Sequence, residues 1–267
     1  MKNLSNYILE AKKQNLDIDR KQPKSRFELE MLISSAFKRK QYDLNFIDTS
    51  KITDMSKLFE GVKHNFDVSS WDVSNVKDMS NMFSRCYAFT GKGLENWDVS
   101  NVKDMMWMFS ACYKFTGKGL ENWNVSNVTD MTCMFLHCKK FDCDLSNWDM
   151  SNVIDTSLMF SDCTKFTGKG LENWDVSKVK NMYTMFGDCT NFNCDLSNWD
   201  VDNVETMKSM FNGCKKFTGK GLENWNVSKV KNMRTMFSGC KFDYDELDWD
   251  LSGLSSQLKT SRNYLGN

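Results

Sequence analysis

A repeat of 25–26 residues runs through most of this chain of 267 residues and leaves few folds open to it. Its clearest column is tryptophan, which recurs at Trp71, Trp97, Trp123, Trp148, Trp174, Trp199, Trp225 and Trp249. A Met-Phe pair, a cysteine and a second phenylalanine keep the same register over seven units, beginning with Met82, Cys86 and Phe89. One unit has apolar side chains but nothing to bury them against. We therefore expect about eight units to stack as a solenoid.

Each unit is predicted to contain one short helix and one short strand. The apolar residues of 105–112 are three and four apart, which is the spacing of one helix face. Asp104 precedes this run, and its column holds Asp, Asn or Thr, which are residues that cap helix N-termini. The alternation from Trp97 to Val99 is typical of a strand. The fold class predicted is therefore an α/β repeat solenoid.

Both ends of the repeat region, 46–250, are expected to be capped, since terminal coils otherwise expose apolar core. Ser25-Arg-Phe-Glu28 has the pattern of a capping box and predicts a helix within an N-terminal cap, residues 1–45. The apolar residues of this helix, at largely helical spacing, are Phe27, Met31, Leu32, Ala36 and Phe37. A weaker helix is predicted over Leu4, Tyr7, Ile8 and Ala11. Residues 251–267 are expected to close the last coil through Leu251, Leu254 and Leu258.

The charge of the chain is balanced, with 35 basic and 35 acidic residues, so nucleic acid is not an expected partner. The first 20 residues have no apolar stretch typical of a secretory signal, and no segment is long enough to span a bilayer. We expect a cytoplasmic location on this ground, and no membrane insertion.

Charges also alternate along one predicted loop column. Thr-Gly-Lys-Gly occupies the 26-residue units, and Asp-Cys-Asp or Asn-Cys-Asp replaces it in the shorter ones. The stacked column reads Lys92, Lys118, Asp142 and Asp144, Lys169, Asp195 and Lys220. Opposite charges on adjacent coils are expected to form a solvated ladder that maintains the register.

No residue pattern indicates catalysis, and we expect neither enzymatic activity nor a cofactor. The two histidines, His64 and His137, fall in different coils. The seven repeated cysteines are expected to be buried thiols in a reducing compartment rather than disulfides. Cys133, His137, Cys138 and Cys143 suggest a zinc site, but no second ligand pair completes a tetrahedral set. The aspartates after each tryptophan, such as Asp98, are expected to stabilise turns rather than to bind calcium.

One row of the repeat departs from its own pattern in three successive units. The position two after the first methionine of each unit, predicted to face solvent, holds Trp107, Cys133 and Leu158. Apolar neighbours of this row are Met106, Leu136 and Tyr183. Contiguous exposed apolar groups that include tryptophan are typical of partner-binding surfaces. These six residues are therefore the predicted site for a protein partner or for self-association.

The segment Trp-Asp-Val-Ser-Asn-Val-Lys-Asp-Met-Ser-Asn-Met-Phe, residues 71–83, resembles the 26-residue bacterial surface-protein repeat of BspA-like leucine-rich-repeat proteins. The likeness extends over roughly residues 48–250. It implies a right-handed, leucine-rich-repeat-like coil, displayed on cells for adhesion or protein binding, without catalytic residues. Surface members commonly carry an export signal, so a cell-surface location is expected only if that segment is missing here. A structural spacer or self-associating surface component is the alternative, and a zinc-binding protein a further one.

Overall fold

The computed structural model describes residues 20–243, 247–252 and 254, in which successive units stack as parallel coils. Isolated β-bridges join the same position of neighbouring coils. They run without interruption through Asp54, Asp78, Asp104, Asp130, Asp155, Asn181, Thr206 and Asn232. The pairing therefore occurs at the column predicted to cap helices, whereas the tryptophan-to-valine stretch forms no bridge among the described residues. The prediction of a strand at Trp97–Val99 was wrong: the described residues pair between coils only through isolated bridges.

The predicted helix of each unit is instead a pair of consecutive β-turns. In residues 79–86 the amide of Met82 donates to the carbonyl oxygen of Met79, and the amide of Cys86 to that of Phe83. The third residue of each turn, Asn81 and then Arg85, has a left-handed φ near 60°. A left-handed residue at every fourth position interrupts an α-helix. Two such turns nevertheless return apolar groups to one side every third or fourth residue, which explains the helix-like spacing.

The turns leave backbone amides free to bond between coils. The amide of Asn81 donates to the carbonyl oxygen of Met106 in the next coil at 2.8 Å, and Phe83 and Arg85 repeat this pattern. A helix would use these amides internally and provide no such ladder. The stack thus satisfies buried backbone groups by pairing each coil with the next.

Aromatic columns fill the interior. Rings of the Met-Phe column lie 5.4–5.9 Å apart on successive coils and are within 14° of parallel. Neighbouring indoles, such as those of Trp97 and Trp123, are 6.3 Å apart. The indole N–H of Trp123 donates to the carbonyl oxygen of Leu94 at 2.9 Å, and equivalent bonds recur along the column. Full burial of each such side chain contributes ~1.5–3 kcal/mol.

A helix, α1 (Arg26–Lys38), packs against the first coil, with Ser25 as its N-cap, as the capping-box pattern predicts. The guanidinium of Arg26 bonds to Asp54, at 2.7 Å, and to the hydroxyl and carbonyl oxygens of Ser56. These groups belong to the open, N-terminal edge of the stack, so Arg26 closes part of it.

Only some of the apolar residues of α1 face the solenoid. Leu29, Ile33 and Ala36 are buried against the solenoid, whereas Phe27 and Met31 are 70% and 57% exposed. The predicted C-terminal cap is present in part, with Leu254 buried and Leu251 partly buried. Leu258 and the weaker helix over Leu4–Ala11 lie outside the described residues.

Candidate functional site

The predicted apolar patch lies on consecutive coils, but it is less exposed than the sequence suggests. Trp107, Met106 and Leu158 are half-buried, and Tyr183 is 37% exposed. Cys133, between Trp107 and Leu158 in the stack, is buried, as is Leu136. The prediction that the whole set faces solvent was wrong for Cys133 and Leu136. We call Trp107, Cys133 and Leu158 the apolar row; its accessible part is formed by Trp107 and Leu158.

The apolar row stands on backbone of unusual conformation. Its column has left-handed φ values of 52–60° at Lys57, Asn81, Trp107, Cys133, Leu158, Thr184, Ser209 and Thr235. Asparagine tolerates this conformation well, whereas a bulky residue there is uncommon. Trp107 and Leu158 therefore occupy positions where a small polar residue would fit the backbone better. Because every coil has this conformation at this position, it belongs to the repeat, and the two large side chains are the departure.

A line of carboxylates runs directly beside the apolar row. Asp78, Asp104, Asp130 and Asp155, one on each coil, form what we call the carboxylate ladder. Each accepts a hydrogen bond from the amide two residues later; in the coil of Trp107 this is the amide of Met106, at 2.9 Å from Asp104 Oδ1. In each coil, the amide that bonds to the carboxylate belongs to the residue immediately before the apolar row's column. In the coil of Asp104, for example, this residue is Met106, which precedes Trp107.

The ladder concentrates negative charge. Within the described part of the chain, none of its four carboxylates has an ion-pair partner; Asp54, one coil earlier, pairs with Arg26. Burial, together with the charges of Asp78 and Asp130, raises the pKa of Asp104 despite the hydrogen bond from Met106. Cations brought to this line would relieve the repulsion between its members.

The cysteines of the repeat are free thiols in the core. The thiol of Cys112 donates to the carbonyl oxygen of Phe83 at 3.1 Å, and the pattern recurs in every unit from Cys86 to Cys240. Burial raises the pKa of Cys138 to about 12. The predicted burial of the repeated cysteines is confirmed, except that Cys240 is only partly buried.

The residues of the suggested zinc site do not converge. Cys138 belongs to the core column and bonds to Phe109, while the exposed ring of His137 lies 3.1 Å from Asp162 Oδ2. Cys143 is buried near the loop and faces the carbonyl oxygen of Asp144. Across residues 20–243, 247–252 and 254, no three His, Cys, Asp or Glu side chains are placed to hold a metal ion.

Two other predicted polar features are present, the second only in part. The carboxylate of Asp98 accepts from the amide of Ser100 at 3.0 Å, as a turn-stabilising residue does. The loop ladder contains the expected pairs Lys169–Asp144 and Lys220–Asp195, whereas Lys92 pairs with Asp67, which the predicted column did not include. No helix in the described part of the chain is long and apolar enough to cross a membrane.

Sequence comparison identifies a family of repeats. Three overlapping segments, residues 28–118, 86–170 and 167–262, match the family described as Mycoplasma protein of unknown function, DUF285. Together these segments span most of the chain. No curated protein and no solved structure was found to be significantly similar to it.

Proposed function

We propose that this chain, which belongs to the DUF285 repeat family, is a non-enzymatic scaffold that binds another protein through the apolar row and the carboxylate ladder. The observation that carries the proposal is the placement of Trp107 and Leu158. Both are large apolar side chains in a left-handed column that holds threonine or serine in the three coils after Leu158. Tryptophan is enriched among the residues that dominate binding energy at interfaces.

The arrangement favours a partner with apolar and basic residues side by side. Trp107 and Leu158 offer apolar contacts, and Asp104, Asp130 and Asp155 provide a parallel line of charge. Charge of this kind increases association rates and sets orientation more than it adds affinity. A segment with Lys or Arg beside its apolar anchors would complement both features.

The spacing of the coils suits a helix lying along the stack. At the apolar row, adjacent coils are joined by backbone hydrogen bonds, such as that from the amide of Trp107 to the carbonyl oxygen of Thr132 at 2.9 Å, which sets them about 4.8 Å apart, and one turn of an α-helix rises about 5.4 Å. Residues one turn apart on such a helix would meet successive coils. This agreement supports a basic amphipathic helix as the bound element.

The resemblance to BspA-like repeats supports the same class of function, adhesion or protein binding, and a right-handed, leucine-rich-repeat-like winding of the coils. Display at a cell surface is part of that proposal and requires an export route. A purely structural role as a spacer is the alternative, and such a role would not depend on the side chains of Trp107 and Leu158.

Self-association through the apolar row is a second candidate, because the row is an accessible apolar surface. Contact between two copies through this surface would also bring their carboxylate ladders to one interface, where like charges repel. We therefore favour a foreign basic partner. Light scattering after size exclusion, with Trp107→Asn/Leu158→Asn beside wild type, separates the two candidates.

The proposal is tested by selecting displayed helical peptides on the wild-type chain, with counter-selection on folded Trp107→Asn/Leu158→Asn. Enrichment of peptides that combine apolar residues with Lys or Arg at helical spacing is the expected result. Enrichment of the same peptides on both chains, or of acidic peptides, would place binding elsewhere. A wild-type dimer that the double variant dissociates would favour self-association.

A further inference from the structure

Charge changes sign along the face that carries the apolar row. One column of this face lies between the carboxylate ladder and the apolar row's column, because it follows the ladder residue by two positions and precedes the row's position by one. We call it the flanking column; it reads Ser80, Met106, Thr132, Ser157, Tyr183, Lys208 and Arg234. Its first five members are uncharged, whereas the last two, Lys208 and Arg234, are cations.

The carboxylate ladder ends before these cations begin. In the three coils after Asp155, its column holds Asn181, Thr206 and Asn232, which carry no charge. The side-chain amide of Asn181 donates to Asp155 Oδ2 at 2.8 Å and so marks the end of the ladder. Four coils therefore present carboxylates without cations in the flanking column, and the coils that follow present cations without carboxylates in the ladder column.

The two cations are accessible to a ligand. Lys208 is half-buried and its ammonium lies 5.6 Å from the centroid of the Tyr183 ring, which holds the charge near the face without neutralising it. Arg234 is exposed, and across residues 20–243, 247–252 and 254 neither cation forms a salt bridge. Of the acidic residues in these coils, Glu205 is already paired with a lysine, and Asp188 lies four residues beyond the row's column.

We propose that the segment bound here is an amphipathic helix with segregated charges, whose basic residues face Asp104, Asp130 and Asp155 and whose acidic residues face Lys208 and Arg234. This inference rests on the proposed function and specifies the partner of that same surface. Complementary potentials orient a ligand, and like charges brought together are penalised. The face therefore distinguishes the order of charges along the helix, and a helix that is basic at both ends is bound less well.

The dimensions of the face suit a helix of ordinary length. Five coil-to-coil steps separate Asp104 from Asn232, whose coil contains Arg234. At about 4.8 Å a step, the two ends of the face are about 24 Å apart. An α-helix of about 16 residues covers this distance at about 1.5 Å per residue. One helix thus reaches the ladder, the apolar row and both cations.

The test compares two synthetic helical peptides of about 18 residues that share one apolar face. In the segregated peptide, lysine fills the polar positions of one half and glutamate those of the other; in the all-lysine peptide, lysine fills them all. Fluorescence anisotropy at fixed salt measures their affinities for wild type and for Lys208→Glu/Arg234→Glu. We expect wild type to bind the segregated peptide about fivefold more tightly, and the variant to prefer the all-lysine peptide by a similar factor.

Lys215→Glu/Lys216→Glu is the matched control, because it makes the same change in net charge at two exposed lysines that follow Cys214, in the coil of Lys208 but outside the flanking column. It should keep the preference of wild type. Urea midpoints establish that each chain is folded. Lys208→Gln/Arg234→Gln, which adds no carboxylate, should bind the two peptides with equal affinity and provides a second test if the charge-reversed chain is unstable.

Equal or tighter binding of the all-lysine peptide by wild type would overturn the inference. A reversed preference in the control would do so as well, since net charge alone would then be responsible. If, in either case, Trp107→Asn/Leu158→Asn still weakens the binding of both peptides, the proposed function stands without the charge order. If that double variant changes neither affinity, the proposed function fails and the inference with it.

Discussion

The thiol of Cys138 donates a hydrogen bond to the carbonyl oxygen of Phe109, 29 residues earlier in the chain, at 3.0 Å. The same bond joins a cysteine to the preceding coil in each unit from Cys86 to Cys240. A small side chain thereby fills the core and ties two coils together. Packing is sufficient to explain the column.

The thiols should consequently be unreactive in the folded protein. Burial raises the pKa of Cys133 and of Cys143 to about 12, so little thiolate exists at pH 8. We expect Cys240, which is only partly buried, to react first with a thiol reagent, and all ten to react after unfolding in urea. Rapid modification of several cysteines in the native chain would contradict the packing described.

Glycine positions with a left-handed φ distinguish backbone preference from steric contact. A Cβ on Gly170 (φ 89°) would lie 2.3 Å from the backbone nitrogen of Ser146 in the preceding coil, whereas Gly61 (φ 74°) has nothing within 4 Å. We expect Gly61→Ala to cost about 1 kcal/mol of unfolding free energy. Gly170→Ala should cost ~2–3 kcal/mol more, because the coils must separate. Urea denaturation measures both, and equal losses would refute the close approach.

The ionised carboxylate of Asp104 should lower stability at neutral pH. Because the pKa of Asp104 is raised in the folded state, its ionised form is disfavoured there, and stability rises as pH falls through that pKa. Asn181 and Asn232 show that asparagine fits this column. Asp104→Asn should therefore stabilise the chain at pH 7 by a few tenths of a kcal/mol, given solvent screening. The gain should shrink toward acid pH; a gain independent of pH would exclude charge as its cause.

The pKa of Asp67 is shifted in the opposite direction from that of Asp104. Burial acts to raise its pKa, but hydrogen bonds from Lys92, Ser69 and Asn45 outweigh this, so the pKa lies well below its usual value. Its contribution is present above the unfolded pKa of about 3.8 and is lost as pH falls below it. Asp67→Asn should cost ~1 kcal/mol at pH 7, since Lys92 is largely exposed. Urea midpoints at pH 7 and pH 3 should show this cost and its decrease; a constant cost would contradict the assignment.

The sequence predicts the repeat, the stacked columns, the buried cysteines and α1, because each depends on periodicity or on a local capping pattern. It does not distinguish a short helix from paired turns, since Met79, Met82, Phe83 and Cys86 have the same spacing in both. The two backbones differ at left-handed residues such as Arg85, and the residue types at these positions do not indicate a left-handed φ. Likewise, aspartate is favoured both at helix N-caps and in turns, so Asp104 does not distinguish the two structures.

The sequence indicates where the apolar row lies along the stack, but not how exposed its side chains are. The departure from the repeat at Trp107 and Leu158 is visible in the sequence. The burial of Cys133 depends on the coils on either side of it, and the exposure of Phe27 depends on which flank of α1 meets the first coil. Both require the stacking geometry.

Binding of a protein segment by the apolar row is measured by the affinity of a selected basic helical peptide for three chains. These are wild type, Trp107→Asn/Leu158→Asn, and Thr184→Asn as a control in the same left-handed column. Asparagine already occupies the column at Asn81, so all three should fold with similar urea midpoints. We expect at least ~tenfold weaker binding for the double variant and no more than ~twofold change for the control. Equal affinity for all three folded chains would contradict this expectation.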